Sequence, residues 1–139
     1  MTIDLDHVIV SAHQRNVSAT RLADLLGVRC GPAREGPFFA VYLNDGLTLD
    51  FYQTDEPFPI EHFCFRVDDR TFDAILRRLQ SAGIAYRSSV RGPVDHQINT
   101  HYGGKMIYWN EPEGHQWEMV TVSYARQTVA VVPSAQRRG

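Results

Sequence analysis

The chain writes one short pattern twice, and this repetition narrows its folding options more than any other feature. Leu5-Asp6-His7-Val8-Ile9-Val10 returns fifty-five positions later as Ile60-Glu61-His62-Phe63-Cys64-Phe65. Each copy runs apolar, acidic, histidine, then three residues suited to a strand. Each is followed by a helical segment and later by a strand with a carboxylate inside it. Those strands are Leu47-Thr48-Leu49-Asp50-Phe51 and His115-Gln116-Trp117-Glu118-Met119. Two histidines and two carboxylates at matching places in two half-chains point to a metal site built by an internal repeat.

The elements between these landmarks follow the same order twice. Residues 3–10 read as a buried strand, and Val17, Leu22, Leu25 and Leu26 mark one face of a short helix stopped at Gly27. Gly31-Pro32 and Gly36-Pro37 bracket a loop. Phe38 to Leu43 and Leu47 to Gln53 form a hairpin around the turn Asn44-Asp45-Gly46. Thr54 to Pro59, with two prolines and two acids, links the halves. Ile60 to Val67 is then a strand, and Asp68-Asp69 offers an N-cap. Phe72, Ile75, Leu76 and Leu79 trace an amphipathic helix that ends at Gly83. Ile84 to Ser88, Lys105 to Trp109 and Gln116 to Val122 read as strands. The polar loop from Val90 to Gly104 holds His96 and His101 and accounts for most of the 13 extra residues between histidine and acid in the second half. Each half is expected to be a βαβββ module, module 1 over 3–53 and module 2 over 60–124. A loosely held tail is expected over 125–139.

Bulk properties exclude several classes of function. At 139 residues one domain is the natural expectation. A net charge of −2 with interspersed signs gives no field for nucleic acid. No apolar run approaches the roughly 20 residues of a membrane span, and the first residues lack the regions of a signal peptide. Cys30 and Cys64 make no disulfide framework, which suggests a cytoplasmic protein with Cys64 buried as a small hydrophobe.

The most specific stretch is Tyr108-Trp109-Asn110-Glu111-Pro112-Glu113-Gly114-His115-Gln116-Trp117-Glu118. Together with the duplicated module it resembles the vicinal oxygen chelate superfamily, which includes glyoxalase I, bleomycin-resistance proteins and extradiol dioxygenases. The family's aspartate before proline is Glu111 here. The resemblance implies an α+β fold in which two tandem modules form U-shaped mixed sheets that enclose a divalent metal. It also implies a homodimer, since in many short members the paired modules come from different chains. His7, His62 and Glu118 match the family's metal ligands, and Asp50 matches a fourth, less constant position.

Imidazole and carboxylate donors with open positions suit Fe, Mn, Ni or Zn, and no thiolate is required. Aspartate reaches about 1.5 Å less far than glutamate, so Asp50 is either a ligand, direct or through water, or a base beside the metal. Such a metal polarises a small substrate that chelates it through oxygens. The spacing of Asn99-Thr100-His101, Tyr108 and Glu118 resembles the extradiol pattern, in which His101 and Tyr108 would be catalytic pocket residues beside Asp50. The acid/base histidine of that class is missing, because no histidine lies between His13 and His62. A glyoxalase-like lyase or isomerase and an extradiol-type dioxygenase both stay open. The alternative is a non-catalytic, ligand-sequestering protein of the bleomycin-resistance kind. His13 and His96 read as exposed loop residues, and His115 as serving the turn or the surroundings of the metal.

Overall fold

The computed structural model describes residues 1–126 and 135. In chain order it holds β1 (His7–Ala12), α1 (Arg15–Leu26), β2 (Arg29–Pro32), β3 (Phe38–Tyr42) and β4 (Thr48–Gln53). These are followed by β5 (His62–Arg66), α2 (Asp69–Ser81), β6 (Met106–Asn110) and β7 (Gln116–Val120). The first sheet has the order β1-β4-β3-β2 and the second β5-β7-β6. In both, the first strand of the module lies parallel to its last, so Ile9 stands opposite Asp50 and Cys64 opposite Glu118. The α+β class and the duplicated module expected from the sequence are both present.

Local chemistry explains the element ends. Gly27 takes φ 74 and its N–H donates to the Ala23 carbonyl, which closes α1. Asp68 caps α2 by accepting the Thr71 N–H at 2.7 Å, and Phe72, Ile75 and Leu79 fill its buried face. Asn44 accepts the Gly46 N–H at 2.8 Å in the hairpin turn.

Three expectations need correction. The first strand begins at His7, not residue 3, and runs on to Ala12. Its parallel partner β4 covers only Thr48–Gln53, so Ile3 and Leu5 have no strand beside them and stay exposed. The loop expected at Gly31-Pro32 is instead part of β2, an edge strand on β3. Pro32 is its last residue, where a missing N–H costs least. Ile84 to Ser88 is not a strand, and only Arg87 bridges to Tyr108. There the backbone groups of Ser88 go to side chains instead, its N–H to Asp95 and its carbonyl to Asn99. The second sheet consequently has three strands where the first has four.

Strand alternation sends Val10, Leu49 and Phe51 inward against α1, and Ile107, Trp109, Trp117 and Met119 inward with Phe72 and Leu79 of α2. These residues form one contiguous core through both modules. Their seam is latched by the turn 110–115, part of the signature stretch. Gln14 gives α1 no side-chain cap. The Glu113 carboxylate does so from the other module, accepting the N–H groups of His13 at 2.7 Å and Gln14 at 3.0 Å. His115 is fully buried. Its Nδ1 accepts the Glu61 N–H at 2.9 Å and its Nε2–H donates to the Ser11 carbonyl at 2.7 Å, a tautomer assigned from these partners. At the far end, Arg78 of α2 donates to the Leu25 carbonyl of α1 at 3.1 Å. The seam leaves the outer face of each sheet open.

Candidate metal centre

The same alternation that builds the core decides which polar side chains meet outside it. On the second sheet His62 and Cys64 of β5, Glu118 of β7 and Tyr108 of β6 share the open face. Glu118 has no solvent exposure. Its Oε1 lies 3.1 Å from His62 Nε2 and accepts the Tyr124 hydroxyl at 3.0 Å. Its Oε2 is buried with no hydrogen-bond partner. The Tyr108 ring stacks on His62, centroids 6.3 Å apart.

This cluster has a distinct electrostatic character. Burial, and then the charge of Glu118, raises the Tyr108 phenol well above its usual range. Burial and the bond to Glu118 raise Tyr124 as well. Cys64 corrects an expectation: it lies on the open face as an exposed residue, because every second residue of β5 points outward from His62. Desolvation and the neighbouring Glu118 push its thiol up to about 12. It is therefore a neutral thiol beside the carboxylate.

On the first sheet, His7 and Asp50 share the open face of β1 and β4. His7 is exposed, and its Nδ1 sits 2.7 Å from the Asp6 carboxylate. That hydrogen bond, with lesser help from the charges of Asp6 and Asp50, raises its pKa. The Asp50 side chain has no hydrogen-bond partner among the described residues. His101 lies in the exposed turn after Thr100, where its backbone N–H donates to Asn99 at 2.8 Å.

The donors of the second sheet fit a divalent metal. Two cis ligands each about 2.1 Å from an ion sit about 3 Å apart, close to the 3.1 Å between His62 Nε2 and Glu118 Oε1. The unpartnered Oε2 is a buried polar atom that a cation satisfies. Yet among the described residues no three of His, Cys, Asp and Glu converge on one point. One chain thus presents two separate donor pairs, His62 with Glu118 and His7 with Asp50. Cys64 was read as core, and its i, i+2 relation to His62 is the signal that places it on the open face. Tyr124 follows the last strand, at the end of the second module, and carried no such signal.

Solved structures give this geometry its context. The chain is 35% identical to the oxidase ChaP-H2, with 89% of this chain and 97% of that one covered and a TM-score of 0.83. It is 36% identical to the oxidase ChaP-H1, over 88% of this chain and 98% of that one, with a TM-score of 0.82. A glyoxalase/dioxygenase from Nostoc punctiforme shares the fold at 17% identity and a TM-score of 0.62, over 84% of this chain and 89% of that one. No model of a known sequence family matches the chain, and no curated protein does. The duplicated modules, their open sheet faces and these relatives define one class. The chain belongs to the vicinal oxygen chelate superfamily, with the fold of the glyoxalases, bleomycin-resistance proteins and dioxygenases.

Proposed function

We propose that the protein is a divalent-metal-dependent enzyme that oxidises a small substrate chelating the metal through oxygens, and that it works as a homodimer. The observation that carries this reading is the division of the donors into two half-sites on open faces. His7 and Asp50 of one copy complete the set begun by His62 and Glu118 of another. The metal, when bound, supplies a Lewis acid that draws the substrate's oxygens into place and steadies their negative charge. Oxidative chemistry is favoured by the two relatives at 35% and 36% identity, both oxidases.

The chain's own residues supply the rest. Tyr108, its phenol raised by burial, stays protonated at neutral pH and donates a hydrogen bond to a substrate oxygen. Asp50, one methylene shorter than glutamate, takes either the fourth ligand position or the proton of a substrate hydroxyl. A hollow of about 590 Å³ on the same side of the second sheet is lined by Cys64, Arg66, Val120, Ser123, Ala125 and Arg126, with Cys64 opposite Glu118 in the strand register.

The test is complementation between chains. H7A and H62A should each lose divalent-metal binding as purified homodimers. Co-expressed, they should regain it, because a mixed dimer carries one intact site. The Fe(II)-loaded parent should consume oxygen with a catechol. Metal binding unchanged in both single variants overturns the site. Tight, chelator-insensitive binding of an aromatic ligand without turnover overturns the enzymatic reading.

A further inference from the structure

Glu118 has a partner that the repeat does not supply. Tyr124 lies in the segment that follows β7, at the very end of the second module. Its ring packs on Met106, Tyr108 and Val120, and stands 5.3 Å from that of Tyr102. Its hydroxyl reaches Glu118 Oε1 at 3.0 Å, the same oxygen that faces His62 at 3.1 Å. A carboxylate on a side chain with three rotatable bonds has many orientations, and most would turn its oxygens away from His62. Two partners on one oxygen select a single orientation. The first module has no counterpart, since the Asp50 side chain makes no hydrogen bond among the described residues.

We infer that Tyr124 is a positioning residue, its hydroxyl holding the Glu118 carboxylate against His62 so that the pair meets a divalent cation already oriented. This rests on the metal centre proposed above. Groups that orient a ligating carboxylate typically contribute about 10- to 100-fold to metal affinity. Y124F keeps the ring and its packing and removes the hydroxyl that touches Glu118 and Tyr108, so it separates these hydrogen bonds from packing.

The experiment is a Co(II) titration of the full-length dimer, read by visible absorption and by calorimetry, for the parent, Y124F, H62A and E118Q. Y124F should bind Co(II) about 10- to 100-fold more weakly. Its d–d bands should also shift, because the carboxylate binds in a changed orientation, while its thermal midpoint stays near the parent's. A purely structural role for Tyr124 would move the midpoint and leave the bands and the affinity alone. If Y124F binds within about twofold of the parent while H62A does not bind, the inference falls and the metal centre stands. If H62A and E118Q bind as tightly as the parent, the metal centre falls and the inference with it.

Discussion

Replacing His115 by phenylalanine tests whether the signature turn is a latch between modules. The ring stacks near Phe58, at 5.3 Å between centroids, and near Trp117, at 5.6 Å. Phenylalanine keeps an aromatic ring in that fully buried space, shifted by a few tenths of an ångström to clear the two backbone groups. It removes both hydrogen bonds, which leaves the Glu61 N–H and the Ser11 carbonyl without partners in partly buried positions. Each orphaned backbone group costs about 1–3 kcal/mol, and partial solvent access favours the lower half. The expected loss for H115F is about 2–4 kcal/mol, a large share of a typical 5–15 kcal/mol total. H115A leaves a cavity as well and should lose about 1–2 kcal/mol more. Urea unfolding followed by fluorescence measures both, with an unchanged m-value showing that the native state keeps its compactness. If H115F unfolds within about 0.5 kcal/mol of the parent, the level of an ordinary surface change, the two hydrogen bonds do not hold the seam and the latch is wrong.

Two further perturbations probe the same turn. E113A removes the capping carboxylate from the N–H groups of His13 and Gln14 and should cost about 1–2 kcal/mol, with E113Q costing less. Chemical denaturation reads both, and an E113A midpoint equal to the parent's would refute the cap. Glu111 is pH-sensitive: burial raises its carboxyl above the ordinary range, and its Oε2 has no partner. A group whose folded pKa is raised contributes stability at pH below its unfolded value, and that contribution is lost as pH rises through the folded pKa. E111Q, which still accepts the His115 N–H, should therefore gain on the parent as pH rises from about 4 to 7. Unfolding free energies at both ends of that range that differ from the parent's by the same amount would refute the assignment.

Much of the fold was legible in single residues. His7 and His62 fell on the first strand of each module, and Asp50 and Glu118 on the last, because strand patterning depends on local alternation. Gly27 and Asp68 likewise ended or began their helices by local backbone chemistry. The errors had tertiary causes. Ile3 and Leu5 are as apolar as a strand requires, but no neighbouring strand reaches them. Ser88 lost its place in a ladder to Asp95 and Asn99, partners seven and eleven residues away. Cys64 was read as core because a run of apolar residues hides its parity, which the register with Glu118 reveals.

The sequence by itself determined the duplicated module, its family, and the four candidate metal-binding residues, since each depends on residue type and short spacing. Only the tertiary structure decided how those residues group. It drew Glu113 and His115 out of the signature stretch to join the modules, and brought Tyr124 from after the last strand onto Glu118. It also left His7 and Asp50 on a different open face from His62 and Glu118. The physical reason is that one core, shared by both modules, fixes which sheet faces are covered. Which faces remain open, and therefore where donors can meet, depends on packing across the whole chain and is absent from any single stretch.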